Sequence, residues 1–248
     1  MLHRLRARLG RRRDGWDEER ARGYVGPPEY FDLITAMSFG LLAVHGLRER
    51  HRLLDIGCGS LRVGRVLIPY LGRGNYVGIE PNPRALEAGV RMHLGESALE
   101  LKAPTLIASD DPGAVPTRRH RLRLRPIDLQ PHGARSAQRL ARRVSARLAE
   151  TGVLVASYVP GADSAPPGWE PAYVTYSDRW IGELAAESGL ELLPIDCRHP
   201  GGQRWALFSK PGFDTSWVAE RPPSWNAYLD RALGPEARRS AAPSAEGD

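Results

Sequence analysis

The stretch Leu53-Leu54-Asp55-Ile56-Gly57-Cys58-Gly59 decides the fold of this chain. It is an apolar run that ends in an acid and two glycines, and a segment of helical character follows over 61–70. This order predicts a strand, a tight turn and a helix. Because Gly57 and Gly59 have no Cβ atom, the backbone there can turn sharply and lie close to a ligand.

A second strand is predicted over 75–80, and it ends in Ile79-Glu80-Pro81-Asn82. A carboxylate at the tip of the second strand of a parallel sheet is well placed to bind the two hydroxyls of a ribose. The glycine turn and Glu80 therefore indicate a site for a cofactor that carries adenosine.

Other nucleotide sites fit these residues less well. A dinucleotide fingerprint has a third glycine three residues after the second, where this chain has Arg62. A phosphate-binding loop needs Gly-Lys-Ser/Thr, and neither Lys102 nor Lys210 has that setting. Asp55, two residues before the first glycine, suits an amine-bearing or cationic ligand better than a pyrophosphate. A tight strand-to-helix turn without any cofactor stays open as an alternative.

The segment Asp55–Gly59 resembles the first motif of the class I S-adenosylmethionine-dependent methyltransferases, and the segment 79–82 resembles their second. The resemblance extends over 27–213 and is specific over 53–82. It implies that S-adenosylmethionine is the cofactor, with its methionine part on the glycine loop and its ribose on Glu80. The predicted cofactor-binding residues are Asp55, Gly57, Cys58, Gly59, Glu80, Pro81, Asn82 and Asp110.

Asp110 follows the third predicted strand, where a carboxylate can accept a hydrogen bond from the adenine amino group. The alternative is an acidic turn, since Asp is a favoured turn residue. Two further segments, 60–62 and 199–205, resemble a bacterial subgroup whose members are often encoded near genes for glycan assembly. The resemblance thus implies a small-molecule or glycan acceptor.

Alternating strand and helix patterns predict an α/β, Rossmann-like fold. We expect a mostly parallel seven-stranded sheet with helices on both faces and a C-terminal antiparallel hairpin. The predicted strands lie near 52–56, 75–80, 105–108, 122–127, 153–158, 190–197 and 204–209. The predicted helices lie near 27–44, 61–70, 84–94, 134–149 and 177–188.

One methyltransferase domain, 27–213, is expected between a basic arm, 1–26, and an irregular extension, 214–248, whose end is disordered. The arm is a candidate for contact with a membrane surface, and a solvated arm is the alternative. Only two cysteines are present, without metal or disulfide spacing, which favours a reducing, cytoplasmic setting. No apolar run has the length of a membrane span, and no secretory signal is recognised.

The formal net charge of +6 keeps two other function classes open. One is a nucleic-acid methyltransferase or binder that uses Arg118–Arg125 as a phosphate track, although few aromatic residues interleave there to stack bases. The other is a protein that binds S-adenosylmethionine without catalysis.

Methyl transfer is an in-line displacement that needs alignment, and it needs a base only when the acceptor must lose a proton. Asp128 and His132 follow the fourth predicted strand, so they are the first acid/base candidates. The alternative for His132 is a surface loop histidine. We expect the acceptor pocket between 128–132, Tyr158 and the loop 160–172, with the segment 24–30 as a lid.

Overall fold

In the computed structural model, which describes residues 16–115, 120–124, 133–162 and 174–214, the apolar run Leu53–Ile56 is a fully buried strand, β1. The chain divides into two units, Met1–Arg125 and Pro126–Asp248. β1 lies in the first unit, where its buried position agrees with its mostly apolar sequence, in which Asp55 is the one charged residue.

The first unit contains a parallel sheet in the order β3-β2-β1-β4. Its other strands are β2 (Tyr76–Glu80), β3 (Thr105–Ala108) and β4 (His120–Leu124). Asp55 is in register with Gly78, and Glu80 with Ala108. Since parallel strands end at the same edge, the turn after β1 and the tip of β2 are brought together.

Five α-helices belong to the described part of this unit. They are α1 (Glu18–Gly23), α2 (Phe31–Val44), α3 (Gly64–Tyr70), α4 (Pro83–Gly89) and α5 (Glu96–Lys102). A 3-10 turn, Pro28–Tyr30, leads into α2, and a π-helical turn, Val90–Leu94, continues α4. A second 3-10 turn, Pro112–Ala114, follows β3.

Two backbone features lie beside the glycine loop, residues 57–59. Helix α3 begins at Gly64 and not at Leu61 as predicted, because Leu61 has a φ of +61°, which no residue of a right-handed helix adopts. Helix α4 packs backbone against backbone on the loop: a Cβ on Gly89 would lie 2.4 Å from the carbonyl oxygen of Ser60.

The second unit contains β5 (Leu148–Pro160), β8 (Arg204–Ser209) and β7 (Glu191–Arg198), which pair antiparallel in that order. A two-residue strand, β6 (Thr175–Tyr176), pairs parallel with the end of β5. The described residues thus hold eight strands and not the seven expected, since two residues are too short to produce a sequence pattern. Helices α6 (Gly133–Ser145) and α7 (Asp178–Glu187) complete this unit.

The boundary between α6 and β5 differs from the predicted helix over 134–149 and strand over 153–158. The helix ends at Ser145, and β5 already begins at Leu148, so Gly152 lies inside the strand. Leu148 is buried, as either a helical or an extended residue would be at this position, and periodicity alone did not separate the two.

Candidate functional site

Glu80 is the centre of the candidate site in the first unit. Its side chain is only 3 % exposed, and both carboxylate oxygens are held by backbone amides. The Gly59 N–H donates to Oε2 at 3.1 Å, and the Asn82 N–H donates to Oε1 at 3.0 Å. The carboxylate therefore bridges the turn after β1 and the turn after β2. We call Glu80 together with the loop 57–59 the Glu80 site.

Hydrogen bonds between backbone groups hold the glycine loop on β2. The N–H groups of Gly57 and Cys58 both donate to the carbonyl oxygen of Ile79, at 2.6 and 3.0 Å. Gly57 and Gly59 have φ angles of +63° and +54°, a region that favours glycine. These bonds fix the loop before any ligand arrives, which is the preorganisation that a binding site needs.

Asp55 lies beneath this loop and not on its surface. Its side chain is 4 % exposed, and the Tyr76 hydroxyl donates to its Oδ2 at 2.7 Å. Burial is the largest cause that raises the pKa of Tyr76 well above its usual value of 10.0, and the charge of Asp55 adds to it. Tyr76 therefore keeps its proton and steadies the carboxylate below the loop.

Cys58, Pro81 and Asn82 have structural contacts of their own. The thiol of Cys58 is buried and faces β2, since a Cβ on Gly78 would lie 2.8 Å from its sulfur. Pro81 is exposed. Asn82 caps α4, its side-chain oxygen accepting from the Arg84 N–H at 3.1 Å. Asn82 also contacts Glu80, through a hydrogen bond from its backbone amide.

The two acids after β3 differ in their contacts. Asp111 forms a local turn: its N–H donates to Ser109 Oγ at 3.0 Å, and its Oδ1 accepts from the Gly113 N–H at 2.6 Å. Asp110 is exposed beside this turn. Because Asp111 is hydrogen-bonded within this turn, Asp110 is the more exposed member of the pair.

The predicted acid/base pair, Asp128 and His132, lies outside the described residues, as do 163–173 of the predicted acceptor loop. Of the arginine cluster 118–125, only the backbone of 120–124 is described.

A second polar cluster occurs in the second unit, where β5, α7 and β8 each contribute one residue; we call it the Tyr158 cluster. The Tyr158 hydroxyl donates to Asp178 Oδ1 at 2.6 Å, and Arg204 pairs with the other oxygen of Asp178. Burial, followed by the bond to Asp178, raises the pKa of Tyr158 above its usual value. The bond from Tyr158, more than the one from Arg204, lowers the pKa of Asp178. Tyr158 is thus a donor and Asp178 an ionised acceptor near neutral pH.

Tyr24 was expected over the acceptor pocket, and the structure places it on the Glu80 site. Its hydroxyl donates to Glu80 Oε1 at 2.8 Å, although 56 residues separate the two. The preceding residues, expected to be part of a basic arm, form α1 and pack on α4 through Trp16 and Ala21, which join a cluster with Ala85 and Ala88. No sequence motif indicates these contacts.

Two kinds of feature are absent from the part of the chain that the structure describes. No three side chains of the metal-ligating types His, Cys, Asp and Glu lie together there in a group that could hold a metal ion. No helix in the same ranges is long and apolar enough to cross a membrane.

Comparison with known proteins gives a fold assignment. No protein-family model and no curated protein matches the sequence. The structure, however, is similar to many solved structures. One is an S-adenosylmethionine-dependent methyltransferase from Clostridium acetobutylicum, with a TM-score of 0.55 and 13 % identity, covering 74 % of this chain and 97 % of that one.

Two other similar structures have a named ligand or substrate class. DhpI in complex with S-adenosylhomocysteine (SAH) matches with a TM-score of 0.57 and 16 % identity over 85 % of this chain and 95 % of its own. The sugar N-methyltransferase KedS8 from Streptoalloteichus matches with a TM-score of 0.52 and 15 % identity over 73 % and 87 %. The chain therefore has the α/β, Rossmann-like fold of the S-adenosylmethionine-dependent methyltransferases.

Proposed function

We propose that this protein is an S-adenosylmethionine-dependent methyltransferase that acts on a small-molecule or sugar-containing acceptor. The observation that carries the proposal is the Glu80 carboxylate, held by two backbone amides at the tip of β2 and against a glycine loop. The fold shared with solved methyltransferases supports it.

The residues of the Glu80 site fit this cofactor. An ionised carboxylate is the acceptor that two vicinal ribose hydroxyls need, and hydrogen bonds to a charged group are stronger than those between neutral groups. Gly57 and Gly59 leave the loop surface without side chains, which a ligand lying on the backbone requires. For Asp110, which is exposed after β3, we propose that it accepts a hydrogen bond from the adenine amino group.

Bound S-adenosylmethionine supplies an activated methyl group on a sulfonium centre. The chain's own residues then have two tasks, to hold the reactants in line and to keep water out. Glu80 and the loop anchor one end of the cofactor, while Asp55 and Tyr76 keep the loop rigid from below. None of these residues needs to change its protonation state.

The acceptor is proposed by analogy with the sugar methyltransferase, and the atom that receives the methyl group follows from the acceptor. For an acceptor that must lose a proton, we propose His132 as the base and Asp128 as its alternative. His132→Ala should then reduce turnover by about 10²-fold and leave cofactor affinity intact. Full activity of this variant would assign the proton to Asp128 or to solvent.

Isothermal titration calorimetry tests the cofactor assignment. We expect binding of S-adenosylmethionine and of SAH, and no binding of NAD. Tight NAD binding without a response to either sulfur compound would contradict the proposal. Incubation of cell-extract fractions with methyl-labelled cofactor, followed by identification of the labelled product, then gives the acceptor; labelled RNA would instead support a nucleic-acid methyltransferase.

A further inference from the structure

The chain's own N-terminal segment lies on the Glu80 site. We call residues 16–25 the strap. Tyr24, near its end, donates its hydroxyl proton to Glu80 Oε1 at 2.8 Å, which is the kind of bond that a ribose hydroxyl would make. Glu80 thus already accepts three hydrogen bonds, two from backbone amides and one from the strap.

Val25 covers the glycine loop beside Tyr24. A Cβ built on Gly59 would lie only 2.3 Å from Val25 Cγ1, and 3.8 Å from Cδ1 of Tyr24. The face of the loop that the missing Cβ leaves bare is therefore filled by a side chain of the strap. A cofactor lying on the same face would need the volume that Val25 occupies.

The strap is held in place along its length. Ser60 Oγ donates to the Ala21 carbonyl at 2.5 Å, and Arg62 Nη1 donates to the Val25 carbonyl at 2.5 Å. Arg91 Nη2 donates to the Trp16 carbonyl at 2.9 Å. These donors lie directly after the glycine loop, in the turn before α3 and in the turn after α4. Segments on each side of the Glu80 site thus hold the strap in place.

We propose that the strap is a self-blocking device, and that the cofactor can bind only when Tyr24 leaves Glu80 and Val25 leaves Gly59. This inference rests on the proposed function, since it takes the Glu80 site as the cofactor site. Gly26, with a φ of +122°, directly follows the strap and gives it a pivot that other residues rarely provide.

The energetic consequence is a reduced apparent affinity. When only a fraction of the molecules is open, the measured dissociation constant rises by the inverse of that fraction. Weakening the strap without touching the cofactor's own contacts must therefore improve binding. This is opposite to what a residue that contacts the bound cofactor would show on truncation.

Calorimetric titration with SAH separates the two cases. We expect Tyr24→Phe to bind SAH about tenfold more tightly than the wild type, because it loses one hydrogen bond to a charged group in the closed state only. Val25→Gly should shift affinity in the same direction. The matched control is Tyr70→Phe, which removes a tyrosine hydroxyl that contacts Leu47 and not the site.

The outcomes are distinct. Unchanged or weaker SAH binding by Tyr24→Phe overturns the self-blocking strap and leaves the proposed function standing. Failure of the wild type and of every variant to bind SAH overturns the proposed function, and the inference with it.

Limited proteolysis gives a second readout on the wild-type chain. Trypsin cleaves after Arg20 and Arg22, both within the strap. If SAH displaces the strap, cleavage at these two bonds should accelerate by about threefold or more. Mass spectrometry detects the cleavage as fragments that begin at Ala21 and Gly23. Slower cleavage in the presence of SAH would show that the strap closes over the ligand instead, and would overturn the inference.

Discussion

The Glu80 site and the Tyr158 cluster are both built around a carboxylate, but they hold it in different ways. Glu80 is 3 % exposed and bound by backbone amides from two turns. The side chain of Asp178 is 59 % exposed and is bound by two other side chains, Tyr158 and Arg204. The first carboxylate is fixed by the fold itself, while the second depends on three residues from separate elements.

This difference explains which of the two clusters can be predicted from the sequence. Backbone amides that hold a carboxylate require glycines and a strand end at a set spacing, and such a requirement leaves a motif in the sequence. A cluster of side chains imposes no such spacing, and water can replace a lost partner at the exposed side chains of Asp178 and Arg204. The Glu80 site should therefore respond strongly to substitution and the Tyr158 cluster weakly.

The largest effect is expected for Gly57→Val. A β-branched residue at a φ of +63° is strained by about 1–2 kcal/mol, and its side chain lies on the loop that the proposed cofactor contacts. We expect no detectable SAH binding by calorimetry. Gly74→Val is the matched control, because Gly74 has a φ of +75° and an added Cβ there meets nothing within 4 Å. It should show a similar loss of stability and normal SAH affinity; loss of binding in both variants would assign the effect to strain alone.

The second largest effect on SAH affinity is expected for Glu80→Ala. Each hydrogen bond from a ribose hydroxyl to the carboxylate is worth about 1.5–3 kcal/mol, so SAH affinity should drop by at least about tenfold. Glu96→Ala, which removes an exposed carboxylate at the start of α5, should bind as the wild type does. An unchanged dissociation constant in Glu80→Ala would make Glu80 a structural strand-end acid only.

Removal of one tyrosine hydroxyl from each region compares the two directly. Tyr76→Phe leaves the buried Asp55 carboxylate without its donor from Tyr76, and should lower the free energy of unfolding by about 1–3 kcal/mol. Tyr158→Phe leaves Asp178 with Arg204 and water, and should cost no more than about 1 kcal/mol. Urea unfolding at neutral pH measures both. Equal losses would show that the exposed cluster is as rigid as the buried one.

A further effect is expected on the pH dependence of stability. Because the pKa of Tyr76 is raised in the folded chain, the unfolded chain loses this proton first, at about pH 10, and the folded chain keeps it. The free energy of unfolding should therefore fall above about pH 10, by about 1.4 kcal/mol per pH unit for this residue. The contribution is fully present below that pH. Tyr76→Phe should show a shallower alkaline slope than the wild type, and an identical slope would contradict the raised pKa.

Most of the first unit could be predicted from local sequence. The strand over 105–108 is confirmed to the residue, and β1 and β2 are confirmed within one residue at each end. The exceptions in this unit are helices α1 and α5, which were not predicted, and the start of α3. Leu61 takes a left-handed conformation while fully buried, so packing overrides the local preference of a residue that usually favours helix.

The partners of the predicted site residues could not be predicted. Tyr24 meets Glu80 across 56 residues and Tyr76 meets Asp55 across 21, and no spacing rule relates residues that far apart. The sequence predicted Tyr158 at the end of a strand and beside the acceptor pocket, but it did not indicate Asp178 and Arg204, which reach Tyr158 from other elements. Contacts of this kind follow from the packing of elements, which the pattern within each element does not contain.

The contact between Gly89 and Ser60 has a dynamic consequence. With 2.4 Å between the position of a missing Cβ and a carbonyl oxygen, the end of α4 and the glycine loop have no side chain between them to absorb a displacement. Neither segment can open without the other, so both belong to one cooperative unfolding unit. Amide hydrogens of the loop and of α4 should therefore exchange with solvent at closely similar protection. The glycine loop, unlike most loops, then has the local stability of the helix on which it rests.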